Sequence, residues 1–174
     1  MTIPQFTAGQ VLTAAELNAM VDAINAGGAV KVATFTTSGT WTVPTGVTYA
    51  VAHITAGGGG AGRVSSGTGG TSSVAFASGT VSATGGAALN HDKDILISTY
   101  AGAANSGYGA YFGAVDGAGD AGLSGNAGNG AIIVAGAAVT PAASITITVG
   151  AGGVAGTSGS AGGTGYVYIE YQGG

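Results

Sequence analysis

Four consecutive glycines, Gly57 to Gly60, follow directly on the strongest strand signal in the chain. Any fold open to this sequence has to find a use for them. The nine residues before them, Val47 to Thr55, are rich in β-branched and aromatic side chains. They alternate, with Tyr49, Val51 and His53 on one face and Ala50, Ala52 and Ile54 on the other, as a strand with two different faces requires. Upstream, Thr40-Trp41-Thr42-Val43 alternates between two turn signals, Ser38-Gly39 and Pro44-Thr45-Gly46. The only Trp therefore stands next to a backbone stretch that has no side chains with which to build a core.

The same scarcity holds along the whole chain. Glycine accounts for 37 of 174 residues, and alanine and valine make up most of the 45% counted as hydrophobic. Apolar burial per residue will be thin, and glycine loses much backbone entropy on ordering. Yet mean hydropathy is +0.45 and only 6% of residues are charged, the reverse of a disordered chain. Faces too weak to close alone are expected to be buried against copies of themselves, so a homo-oligomer is expected. The formal net charge is −4 with no basic patch, which excludes nucleic acid as a partner. There is no cysteine, hence neither disulfide nor thiolate metal site. No signal-peptide pattern opens the sequence, and no apolar stretch is long enough to span a bilayer, so membrane insertion is not expected.

In chain order, an irregular lead over residues 1–12 precedes one clear helix. Thr13-Ala-Ala-Glu16 is a capping box, Leu12 and Leu17 form a hydrophobic staple, and Gly27-Gly28 ends the helix. Leu17, Met20, Val21 and Ile24 make one apolar stripe. About 13 residues is marginal for an isolated helix, so the stripe needs a partner. Either its own domain supplies one, or the stripe builds a short bundle around an oligomer axis, Leu17, Val21 and Ile24 fitting d, a and d positions. From Val30 the pattern is strands and glycine turns: 30–36, 40–43, 47–55, 73–77, 80–83, 94–101, 131–135, 144–149 and 165–171. The expected fold is mainly β: an N-terminal segment, 1–28, with one short helix for attachment and oligomerisation, then a glycine-rich all-β domain over 29–174, in a homotrimeric fibre-like assembly.

Several pieces of the sequence carry a resemblance. Ser38-Gly39-Thr40-Trp41-Thr42-Val43-Pro44, a strand, then Gly57 to Gly60 resembles the glycine-rich domain of bacteriophage tail fibres and tip adhesins. In the same order follow Gly69-Gly70-Thr71-Ser72-Ser73 with Ala83-Thr84-Gly85-Gly86, then Thr146-Ile147-Thr148-Val149-Gly150-Ala151-Gly152-Gly153, and the closing strand Gly165 to Tyr171. Phe6 to Ala19 also resembles a recurring segment of phage tail proteins. The resemblance implies a virion protein, assembled in the host cytoplasm and exposed on the particle, that binds a host surface glycan or protein. Its N-terminal segment would join another virion protein. A head fibre or capsid decoration protein and a bacterial surface module are the alternatives. The resemblance also implies layered polyglycine helices. Because this chain lacks dense Gly-Gly-x repetition, ordinary β-structure with glycine loops over 102–130 and 150–164 is the expectation.

Catalytic and metal-binding constellations are weak. His91-Asp92-Lys93-Asp94 reads as a solvated turn, and Asp116 with Asp120 lacks the glutamate that closes a calcium loop. His53 reads as a packed or axis-facing residue. Gly57 to Gly60 lacks the Lys-Ser/Thr of a phosphate loop. No enzyme activity, catalytic residue, metal or cofactor is expected. The aromatics Tyr100, Tyr108, Tyr111 and Phe112, set among Gly, Ser and Asn, have the composition of an adaptable recognition surface and are the candidate receptor contacts. The competing reading has them plugging the core between protomers.

Overall fold

A computed structural model describes residues 13–90, 95–102, 105–115 and 123–173. The chain is mainly β with one helix. Helix α1 (Ala14–Gly28) begins immediately after Thr13, whose carbonyl accepts from the Leu17 amide at 3.1 Å. Leu17 and Val21 are each about half exposed and Met20 is partly covered, while the side chain of Ile24 lies outside the description.

Two four-stranded antiparallel sheets follow. The first has the order β1 (Val30–Phe35), β13 (Tyr166–Gln172), β3 (Tyr49–Thr55), β11 (Ile132–Ala138). The second has the order β2 (Gly39–Thr42), β12 (Ser144–Thr148), β5 (Ser72–Phe76), β6 (Gly79–Ala83). Every strand expected from residues 30–90 and 131–171 is present, with ends moved by one to three residues. The alternation of β3 is as expected: Ala50, Ala52 and Ile54 are buried. They meet Val167 and Ile169 of β13, and across the gap Trp41, Val74, Phe76, Ile145 and Ile147 of the second sheet. The Trp41 ring lies 5.4 Å from that of Tyr171. One small apolar core thus closes a sandwich of two sheets.

The glycine runs are not loops, which corrects the expectation for 150–164 and for much of 102–130. Run 57–61 leaves β3 and donates successive amides to different neighbours. Gly57 donates to Gly70, Gly58 to Gly163, Gly59 to Gly128, Gly60 to Gly67 and Ala61 to Ser160, each at 2.9 Å. Its carbonyls accept in the same rhythm, Gly57 from Gly86, Gly58 from Gly153, Gly59 from Ala110, Gly60 from Leu89 and Ala61 from Gly156. Residues three apart address the same neighbour. That is the signature of a threefold extended helix, which has three residues per turn and no internal hydrogen bonds.

Six runs surround the central one. They are 67–70, 150–156, 159–163, 107–110, 127–130 and 85–89, and each bonds to the next until the ring closes. Gly70 donates to Ala151, Gly162 to Gly153, Gly163 to Tyr108, Ala127 to Ala110, Gly128 to Ala87 and Gly69 to Gly86. At Gly57, Gly58, Gly59 and Gly60 an added Cβ would fall on a backbone carbonyl of a neighbouring run. The spacing between runs is set by backbone alone.

Gly-Gly-x repetition is in fact present, one or two turns at a time. In run 85–89 and its flanks, Thr84, Ala87 and Asn90 are exposed; in run 150–156, Ala151, Val154 and Thr157 are. At least one residue per turn points to solvent and can keep a side chain, with Ala155 exposed beside Val154 in run 150–156, while the others face the lattice. Only the central run, enclosed on every side, needs small residues throughout.

Candidate functional site

The lattice separates two ends of the molecule. The central run departs from the end of β3, where Thr55 is the register partner of both Tyr166 and Ile132. Five residues at about 3.1 Å each carry it roughly 15 Å away from the sandwich. The buried Ser72 pins the boundary: its hydroxyl donates to the Thr55 carbonyl at 2.8 Å and accepts from the Gly150 amide at 2.9 Å.

Beyond the lattice lie elements that, apart from the strand expected over 94–101, the sequence did not announce. The short strands β4 (Ala61–Gly62) and β7 (Leu89–Asn90) pair in parallel. Ser66 secures the turn above them, its hydroxyl set between two acceptors, the Leu89 carbonyl at 2.8 Å and Asn90 Oδ1 at 2.6 Å, while its amide donates to the same Oδ1 at 2.8 Å. The Arg63 amide donates to the Thr157 carbonyl and the Thr157 amide to that of Val64, tying in the opposite turn, where Ser158 has φ +55°. A third sheet has the order β10 (Leu123–Asn126), β9 (Tyr111–Val115), β8 (Ile95–Tyr100). Runs 107–110 and 127–130 feed β9 and β10 directly, so this sheet continues the lattice outward.

The candidate contacts fall in this region, though not as one loop. Tyr100 and Tyr111 are register partners at the base of the third sheet, and Phe112 is the partner of Thr99 in the next row. Tyr108 stands apart, one turn of the threefold helix before Tyr111. Its carbonyl is engaged by Gly163 within the lattice and its side chain is 58% exposed. It therefore plugs no core of its own chain. Nearby, Asn129 Oδ1 accepts from the Gly109 amide at 2.9 Å, so the run carrying Tyr108 is tied to its neighbour by a side chain as well. His91 to Asp94, Asp116 and Asp120 lie outside the described residues.

At the opposite end, α1 leads through Ala29 into β1, where Val30 is the register partner of Gln172 and the Gly173 amide donates to the Ala29 carbonyl. His53 lies on the outward face of the first sheet, stacked on Tyr168 at 4.2 Å and 3.5 Å from a Glu170 carboxylate oxygen. Burial, then the Glu170 carboxylate and then Tyr166, hold the Tyr168 phenol above its ordinary value. Among the described residues no three of His, Asp and Glu come together as a metal site. Compared with family models, curated proteins and solved structures, the chain matches none.

Proposed function

We propose that this protein is a surface component of a tailed-phage virion, a tail fibre or tip adhesin that binds a glycan or protein on the host surface. The observation that carries the reading is the polarity of the molecule. The helix enters at the sandwich pole, and the strands bearing Tyr100, Tyr111 and Phe112 stand at the other, held there by a lattice of backbone bonds. A recognition surface built this way is fixed in place before it meets its target, which lowers the ordering cost of binding. The ordered resemblance to phage glycine-rich domains supports the same reading. In it, three copies assemble, the N-terminal segment attaches to another virion protein, and weak contacts act together through effective concentration.

The decisive experiment is adsorption of phage carrying Tyr108→Ala together with Tyr111→Ala. Melting of the purified protein should stay nearly unchanged, while adsorption falls by a factor of about 30 or more, as expected when an aromatic worth about 2 kcal/mol at an interface is lost. Lost melting stability together with lost adsorption would make the pair structural. Phage that lack the whole chain and still adsorb at the normal rate would end the adhesin reading in favour of a purely structural head fibre or decoration protein.

A further inference from the structure

The two outward faces of the sandwich differ in kind. On the second sheet, the residues turned away from the core are Thr40 and Thr42, Ser144, Thr146 and Thr148, Ser73 and Ala75, and Thr80 and Ser82. This is a hydroxyl-covered surface made for water. On the first sheet, the corresponding positions hold Val30, Val32, Tyr49, Ile132 and Val134, with exposures of 54–70%. They are joined by the half-buried Val51, Tyr166 and Tyr168. Cross-strand register makes this one patch: Thr34, Tyr168, His53 and Val134 form one row, and Val32, Glu170, Val51 and Gly136 the next. The Tyr166, Tyr168 and His53 rings stack along it.

We propose that the outward face of the first sheet is where copies of this chain pack against one another. Charge identifies the occupant. The chain carries net −4, so a face that meets its own copy has to bring few like charges together. Glu170 is the one carboxylate in the two register rows of this face, and His53 lies 3.5 Å from it, with Nε2 shielded from solvent and free of any other partner. Apart from this pair the two rows hold no Asp, Lys or Arg, so copies that meet here bring little like charge together. In these two rows an acidic partner or an anionic membrane would find no Lys or Arg to match it, and a basic partner a single carboxylate.

Area points the same way. The five side chains, each more than half exposed on one face, put this surface in the class of a monomer's largest apolar patch, about 300–600 Å². The stacked tyrosines and Val51 extend it toward the roughly 800 Å² that each partner gives to a stable interface. This inference stands whether or not the protein is an adhesin.

The test uses the full-length chain and light scattering between 1 and 100 µM, on the order of the range in which such interfaces form. Val134→Thr with Ile132→Thr keeps the β-branched shape and removes the apolar surface, and Val134→Asp is the harsher version. Both should weaken association at least tenfold with melting of the dissociated chain unchanged, while Thr146→Asp on the other outward face should leave the mass as it is. A wild-type chain that stays monomeric at 100 µM would overturn the proposal, as would threonine variants of unchanged mass. It would also fall if Leu17→Asp alone released monomers while Val134→Asp did not, because the helix would then be the whole interface.

Discussion

The sandwich and the lattice solve the same problem by opposite means. Both have to satisfy every buried amide and carbonyl in a chain with few large side chains. In the sandwich the ladders are ordinary, and the fold is decided by Trp41, Ile54, Phe76, Ile147 and Ile169 filling the gap between sheets. In the lattice there is next to nothing to fill. The runs come so close that backbone touches backbone, and around the central run hydrogen bonds in six directions replace side-chain packing. Specificity in the first rests on shape, and in the second on the absence of side chains.

That contrast is open to direct test. The largest effect is expected from Gly59→Ala, whose methyl would coincide with the Ala87 carbonyl, a group that cannot swing aside. A loss above about 3 kcal/mol, beyond ordinary overpacking, should leave little folded protein in a thermal melt. Next comes Ile54→Ala, which opens a cavity in the sandwich and should cost about 2–4 kcal/mol while leaving a cooperative transition. Equal tolerance of both substitutions would erase the distinction between the two regions. Ser72→Ala tests the seam between them: it orphans the Thr55 carbonyl and the Gly150 amide and should cost about 1–3 kcal/mol, read as a shift in the denaturant midpoint. Gly39→Ala is the control, in a sandwich strand, where the new methyl meets nothing closer than the Phe35 ring at 3.9 Å. It should move stability by less than about 0.5 kcal/mol. A large loss there would mean that glycine matters in this chain for some reason other than close approach.

The sandwich was legible because side chains print its rules. Alternation at Tyr49 to Ile54, the turns at Ser38-Gly39 and Pro44-Thr45-Gly46, and Trp41 between them placed strands within one to three residues. Helix α1 was marked as clearly by Thr13 and Gly27-Gly28, and runs to 15 residues. The lattice was not legible in the same way, since the directions that matter there belong to amides, and glycine leaves them unwritten. What trace exists is the period of three at Thr84, Ala87 and Asn90, or at Ala151, Val154 and Thr157, too short in any one run to stand out. Seven such runs of similar length were the signal. Strands β9 and β10 were missed because Gly113 and Gly125 sit inside them and dilute the β-branched pattern. The four aromatics chosen as contacts were read as lying within and beside one glycine loop, whereas Tyr100, Tyr111 and Phe112 stand on neighbouring strands and Tyr108 belongs to the lattice.

A threefold helix with a partner in every direction also makes the chain sensitive to counting. Deleting one residue from within 57–61 turns every later amide by about 120° and points it at the wrong neighbour. Deleting two leaves it facing the third, and only the loss of three restores the original set of directions. Insertions and deletions inside the runs should therefore survive in multiples of three, as in a coding frame. The turns that join the runs above the lattice obey no such rule and are free to change length one residue at a time.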